Sequence, residues 1–127
     1  MRNRKIVAIF GSSRVKPDAE LYQTTYTLAH TLATEDYVIM SGGYEGLMEA
    51  ASKGAADAGG HVIGVSAEPL EKLRRIRPNQ WLKQVIPFDS VHERLSYMVV
   101  KADAYVVMPG GLGTFAELLM AWELVRV

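Results

Sequence analysis

The 127-residue chain is long enough for one domain with its own hydrophobic core, and its 49% hydrophobic and 22% charged residues exclude a disordered chain. Its 14 Lys and Arg balance its 14 Asp and Glu, so the overall charge indicates neither a nucleic-acid partner nor an anionic membrane partner. The chain has no cysteine, which excludes disulfides, thiolate catalysis and thiolate metal sites and favours a cytoplasmic location.

Short runs of β-branched and apolar residues alternate with longer segments of helical period, which predicts βαβ units and a mostly parallel sheet. The first run, IVAIF, follows a basic start and predicts a strand, because it is too short for a signal peptide. No apolar stretch approaches the roughly 20 residues that span a bilayer. In chain order we predict strands at 5–10, 37–40, 61–65, 84–88 and 104–108 and helices at 19–33, 46–58, 90–102 and from 114 onward.

A few residues predict where these elements begin and how they are placed. Pro17 and Asp18 indicate the start of the first helix, and Ser90 is the expected N-cap of the third. Pro87 places its strand at an edge of the sheet, whereas the uniformly apolar strand at 104–108 is expected to be buried.

The segment 68–83 is the least regular part of the chain, and it carries a basic cluster at Arg74, Arg75 and Arg77. We expect a solvated loop here. The alternative is a mobile flap that meets an anionic ligand.

Glycine-rich sequences follow three of the predicted strands, at 11–13, 41–46 and 109–114, and we call them the first, second and third glycine corners. Tight turns between strand and helix need glycine in any case. However, the carboxyl ends of parallel strands lie at one edge of the sheet, where open α/β sheets bind ligands. The N–H groups and partial positive charge of a helix N-terminus suit a phosphate. For all three corners together, the sequence favours a ligand site.

The spacing of these glycines matches neither common nucleotide fingerprint. GSSRVK is not G-x-G-x-x-G, and GGLGTFAE lacks the lysine of the G-x-x-x-x-G-K-[ST] loop. ATP-driven phosphoryl transfer is therefore not indicated. The pattern favours a monophosphate held by backbone and hydroxyl groups, with Thr114 as a donor.

Two charged residues are candidates for chemistry. Glu117 follows Thr114 by three residues, which is the spacing of a helix capping box; alternatively, it is a carboxylate one helical turn from a bound phosphate. Arg94 is either an ordinary exposed helix arginine, a bidentate phosphate ligand or the residue that orients the carboxylate. The histidines show no metal-ligand spacing, so no metal site is predicted; they are His30, His61 and His92.

Four segments resemble one known family, the LONELY GUY-type phosphoribohydrolases. PGGLGTFAE (109–117) is similar to the family signature P-G-G-x-G-T-x-x-E, and SGGYEGLMEAASKGAADAGGHVIGV (41–65) to its second glycine segment. GSS (11–13) resembles the first glycine segment, and HERLSYM (92–98) the H-x-R-K-x-x-M helix. Leu95 stands where the family often has Lys, and Ala116 where it often has Glu.

The resemblance implies a Rossmann-like α/β fold, with an open parallel sheet and helices on both faces. It also implies hydrolysis of the N-glycosidic bond of a nucleoside 5′-monophosphate, AMP or a cytokinin nucleotide, to free base and ribose 5-phosphate, without a cofactor. Carried over by position, Arg94 and Glu117 are the catalytic pair. The implied phosphate- and nucleotide-binding residues are Gly11, Ser12, Ser13, Gly42, Gly43, Gly46, Met48, Gly110, Gly111, Gly113 and Thr114.

The resemblance further implies a homodimer, which we expect to form through the helix that carries Tyr97 and the C-terminal helix that carries Trp122. We treat residues 1–127 as a single Rossmann-like nucleotide-binding domain, apparently lacking the strand and helices with which the family usually continues. The alternative function belongs to a different class: a non-catalytic binder of a phosphate-bearing ligand, such as a molybdenum-cofactor carrier or a nucleotide-sensing protein.

Overall fold

The computed structural model describes residues 4–110 and 112–126 as a parallel sheet with helices on both faces. The described strands lie in the order β4-β3-β2-β1-β5, and every pair of neighbours is parallel. The predicted α/β, Rossmann-like fold class is confirmed. The strands are β1 (Ile6–Phe10), β2 (Val38–Ser41), β3 (Val62–Ala67), β4 (Gln84–Phe88) and β5 (Ala104–Val107), and the helices are α1 (Glu20–Thr34), α2 (Leu47–Asp57), α3 (Glu68–Arg74), α4 (Val91–Lys101) and α5 (Leu112–Arg126).

Strand β1 shows how the sheet divides the core in two. Alternate side chains of a strand point to opposite faces. Val7 and Ile9 pack against small residues of α1 and α2, whereas Ala8 and Phe10 pack against residues of α4 and α5. Both faces of the central strands are therefore covered, which explains why their sequences are continuously apolar.

The strand order reverses beside β1. Strands β2, β3 and β4 follow one another on one side of β1, and β5 lies on its other side. The helices that follow β1 and β5 therefore leave toward opposite faces, which opens a crevice at the carboxyl ends of these strands. The first and third glycine corners stand at this point.

Several predicted boundaries are confirmed, and one expectation is wrong. Ser90 caps α4, since its Oγ accepts a hydrogen bond from the N–H of Glu93 at 3.3 Å. Helix α1 begins at Glu20 after Ala19, close to the start that Pro17 and Asp18 indicate, and no side chain hydrogen-bonds this N-cap. Strand β5 pairs with β1 alone among the described strands, and Val107 is 36% exposed. An apolar run does not reveal how many neighbours a strand has, which is why the prediction of a buried strand failed.

Candidate functional site

Backbone hydrogen bonds at Ser12 join all three glycine corners. The N–H of Ser12 donates to the carbonyl of Pro109 at 3.1 Å, and the N–H of Leu47 donates to the carbonyl of Ser12 at 2.9 Å. A Cβ atom on Gly110 would lie 2.6 Å from Cβ of Thr114 and 3.0 Å from the nitrogen of Ser12. The first turns of α2 and α5 are thus held beside the loop that follows β1, at the reversal of strand order.

The other predicted binding residues lie around this junction. Gly113 is in the first turn of α5, and Gly111 lies outside the described residues. Met48 is half-buried, with its sulfur 4.0 Å from Nη2 of Arg94. The remaining members lie in the loops of the first two corners, partly or fully buried: Gly11, Ser13, Gly42, Gly43 and Gly46.

Gly46 is the tightest point of this junction, and we expect Gly46→Ala to lower the free energy of unfolding by about 2–4 kcal/mol. Its φ is +68°, and an added Cβ would lie 2.5 Å from the backbone carbon of Ser13 and overlap the carbonyl oxygen of Ser12. Urea denaturation would measure the effect. Gly59→Ala is the matched control, because its φ is +75° and a Cβ would meet nothing within 4 Å, so about 1 kcal/mol is expected. Equal losses of unfolding free energy in the two variants would show that the close contact with Ser12 and Ser13 does not contribute to the effect.

Arg94 is buried, only 8% exposed, and fixed by the protein itself. Its Nε donates to the carbonyl of Val65 at 2.7 Å, and Nη2 donates to the carbonyl of Gly42 at 3.2 Å. The guanidinium carbon lies 5.5 Å from the ring centre of Tyr44. The expectation of an ordinary exposed arginine is therefore wrong. Two of its three nitrogens already donate to carbonyls, which favours an orienting role over a bidentate grip on phosphate.

Glu117 lies in the second turn of α5 and is half-buried. Burial raises the pKa of its carboxyl to about 7, and the positive charge of Arg94 acts in the opposite direction. Burial lowers the pKa of Arg94, and the negative charge of Glu117 raises it. The two groups therefore interact electrostatically. A carboxyl group with a pKa near 7 is present in both protonation states at neutral pH, as general acid–base chemistry requires.

The capping box is not formed. Helix α5 begins at Leu112, so Thr114 lies inside the first turn instead of at the N-cap, which that pattern requires. The helix starts earlier than predicted because it continues into the glycines of the third corner. Thr114 is buried, and its hydroxyl lies next to Gly110. The alternative, a carboxylate close to the ligand, is compatible with this geometry.

The segment 68–83 differs from the solvated loop that we expected, and the alternative of a mobile flap stays a prediction. Its first part is α3, which has no buried residue, and its second part packs against the second glycine corner. A Cβ on Gly43 would lie 3.3 Å from Cδ1 of Leu82, and the carbonyl of Gly43 accepts a hydrogen bond from the N–H of Asn79 at 2.8 Å. The arginines of the basic cluster are exposed, and the charge of Arg74 lowers the pKa of Arg94.

Sequence reasoning missed Tyr44 and its partners. The Tyr44 hydroxyl accepts from the N–H of Ala67 at 2.8 Å and lies 2.9 Å from a carboxylate oxygen of Glu71, to which it donates. Burial raises the pKa of Tyr44, so this hydroxyl stays protonated at neutral pH. Tyr44 thus links α3 to Arg94. A tyrosine among the glycines of a tight corner was the available signal. No cluster of His, Cys, Asp or Glu able to hold a metal occurs in the part of the chain that is described.

Comparisons with known proteins place this geometry in context. The family model described as SLOG cluster4 matches residues 4–127. A cytokinin riboside 5′-monophosphate phosphoribohydrolase, LOG2, from Arabidopsis thaliana is 34% identical over 119 residues, which are 93% of this chain and 54% of that protein. An uncharacterized protein from Archaeoglobus fulgidus is 31% identical over 104 residues, covering 82% of this chain and 66% of that protein. This chain spans about half the length of the plant relatives that it matches.

Solved structures share the fold. The X-ray structure of a structural-genomics target, TM1055, superposes with a TM-score of 0.83 at 29% identity, covering 94% of this chain and 69% of that chain. The molybdenum cofactor binding protein from the phototrophic bacterium Rippkaea orientalis has a TM-score of 0.84 at 25% identity, covering 99% of this chain and 75% of that chain. Similar proteins are therefore named both for hydrolysis and for binding.

Proposed function

Because this chain belongs to the SLOG cluster4 family, we propose that it hydrolyses the N-glycosidic bond of a nucleoside 5′-monophosphate, AMP or a cytokinin nucleotide, to free base and ribose 5-phosphate. The family resemblance found in the sequence is confirmed by this match and by the named relatives. One observation carries the proposal. Three glycine corners meet at one sheet edge, beside a half-buried carboxyl group with a pKa of about 7 and a buried arginine.

The glycine corners account for recognition of the phosphate. The second and third corners lead into the N-termini of α2 and α5, where backbone N–H groups and the helix dipoles favour an anion. Ser12 and the hydroxyl of Thr114 lie at the same junction. In the proposed complex the phosphate occupies this junction, and the ribose extends toward the second turn of α5.

Glu117 accounts for the chemistry. Cleavage breaks the bond between C1′ and the base nitrogen, and water forms the new bond to C1′, so that the base leaves with one proton of that water. Positive charge develops on the ribose in the transition state, and the ionised Glu117 stabilises it while orienting the water. The charge of Arg94 opposes the effect of burial on the pKa of Glu117, so that part of the carboxyl group is ionised at pH 7.

The test is chromatographic. Purified protein is incubated with AMP and, separately, with N6-isopentenyl AMP, and free base and ribose 5-phosphate are quantified. Release of both products in equal amounts supports the proposal, and the relative rates identify the preferred base. Heat-inactivated protein is the control. Binding of these nucleotides without either product would contradict hydrolysis.

That contrary outcome would favour the second candidate function, a non-catalytic binder of a phosphate-bearing ligand. The observation in its favour is the likeness to a molybdenum cofactor binding protein over 99% of this chain. A binder needs the glycine corners but not an ionisable Glu117. Parental affinity for AMP in Glu117→Gln, together with no turnover in the parent, would therefore support it.

We also propose a homodimer formed through α4 and α5. Apolar side chains are exposed on both helices, since Val100 is 68% and Trp122 63% exposed. The expected result is a particle of twice the chain mass at micromolar concentration, measured by light scattering, and a monomer for Trp122→Asp. Tyr37→Asp is the control, because Tyr37 is exposed on β2's N-terminal side and should leave the dimer intact. A monomeric parent would contradict the proposal.

A further inference from the structure

Three consecutive carbonyl groups of the second glycine corner accept hydrogen bonds from outside the corner. The carbonyl of Gly42 accepts from Nη2 of Arg94 at 3.2 Å, and that of Gly43 accepts from the backbone N–H of Asn79 at 2.8 Å. The carbonyl of Tyr44 accepts from Nδ2 of Asn79 at 3.0 Å. Asn79 therefore holds two of the three.

Holding a carbonyl also fixes the N–H group of the following residue. A trans peptide unit is planar, so its N–H points away from its C=O, and the described residues contain no cis peptide bond. The bonds from Asn79 to the carbonyls of Gly43 and Tyr44 thus set the directions of the N–H groups of Tyr44 and Glu45. Within residues 4–110 and 112–126, no acceptor is found for either of these N–H groups, so each can still donate a hydrogen bond.

The side chain of Asn79 is itself held at both ends. Its Oδ1 accepts from the N–H of Trp81 at 3.1 Å, and Nδ2 also lies 3.3 Å from the hydroxyl of Ser52. That hydroxyl donates in turn to the carbonyl of Met48 within α2, at 2.9 Å. Asn79 is therefore fixed before any ligand arrives, which reduces the entropy lost on binding.

We propose that Asn79 is a positioning residue for anion binding: it holds the carbonyls of Gly43 and Tyr44 so that the N–H groups of Tyr44 and Glu45 point at the phosphate of the ligand. The inference rests on the proposed function, in which the second glycine corner binds that phosphate. Asn79 acts through the loop and does not contact the ligand. It lies in the segment 68–83, to which composition alone assigned no such role.

The first test is Asn79→Asp, which keeps the acceptor for Trp81 and removes both Nδ2 donations. We expect the affinity for AMP, measured by calorimetry, to fall about tenfold, KM to rise by the same factor, and kcat to stay within about threefold. Gln80→Glu is the matched control, because it adds the same charge at an exposed neighbouring position and should change affinity by less than about twofold. Equal losses in the two variants would mean that charge alone weakens binding and would overturn the inference.

The second test begins with the parent protein. Inorganic phosphate is titrated into the parent, and backbone amide resonances are followed by NMR. We expect the amides of Tyr44 and Glu45 to shift on titration. In Asn79→Ala, which adds no charge and keeps the backbone bond to Gly43, the amide of Glu45 should shift less. Unshifted amides in the parent, or parental AMP affinity in Asn79→Ala, would overturn the inference. Binding without base release would overturn hydrolysis alone, whereas a parent that binds neither AMP nor phosphate would overturn both.

Discussion

Glu117→Gln is expected to lower base release from AMP by about a thousandfold and to change AMP affinity by less than about tenfold. Glutamine has the same shape but carries no negative charge, so it neither stabilises the developing positive charge on the ribose nor accepts a proton from water. Turnover is measured by chromatography and affinity by calorimetry. Glu93→Gln is the matched control, because Glu93 precedes Arg94 in the chain but is exposed, and its replacement should leave turnover unchanged.

The pH dependence gives the same hypothesis a second readout. If ionised Glu117 is the working form, kcat/KM should rise with pH through about 7 and then level off.

The free energy of unfolding should instead fall as the pH rises through the same range. The folded protein raises the pKa of Glu117 above its ordinary value of 4.5, so the group favours folding below that value and this advantage disappears as pH rises through about 7. Glu117→Gln should thus match the parent's stability near pH 4.5 and exceed it by about 1–3 kcal/mol at pH 8. A constant difference would contradict the raised pKa.

Arg94→Met is expected to reduce the free energy of unfolding by about 2–4 kcal/mol and to lower base release at pH 7 by more than about tenfold. The carbonyls of Val65 and Gly42 lose their donors, and Val65 lies in the core. The variant also removes a buried charge, and the desolvation that this avoids offsets part of the loss. Without the arginine, the pKa of Glu117 should rise further, so remaining activity should appear only at higher pH.

Urea denaturation and the pH profile measure these two effects of Arg94→Met. Lys101→Met is the control on the same helix, because Lys101 is exposed and its Nζ lies 5.9 Å from the ring centre of Tyr97. It should lose less than about 1 kcal/mol. An Arg94→Met variant as stable as the parent would show that the lost hydrogen bonds are fully offset, by other donors to the two carbonyls or by the avoided burial of the charge. That result would contradict the proposal that this guanidinium stabilises the fold.

Local pattern was sufficient for most of the fold. All five strands, including the edge position of β4, follow from short apolar runs and from Pro87, and the cap of α4 follows from Ser90. Two expectations failed, one because of strands distant in sequence and one because of the local extent of a helix. The exposure of β5 depends on how many strands pair with it, and the start of α5 depends on how far the helix continues into the glycines.

The sequence predicted those parts of the candidate site that depend on residue type and on position after a strand. Glycine corners that follow parallel strands lie at the same edge of the sheet, and the backbone hydrogen bonds of Ser12 connect them there. The burial of Arg94 and the contacts of Tyr44 and Asn79 were not predictable. They join side chains to backbone groups 23 to 52 residues away, and no periodicity or local motif encodes such pairs.

The bonds at Ser12 also have a consequence for biosynthesis. They belong to a network in which β1 pairs with β5, and the contact between Ile6 and Asp103 spans 97 residues. Contacts between such distant segments close late and slow the folding of a domain. On the ribosome β1 emerges before β5 has been synthesised, so the junction of the glycine corners is completed only once β5 is available to pair with β1. Nucleotide binding during translation would therefore report that β5 has paired with β1.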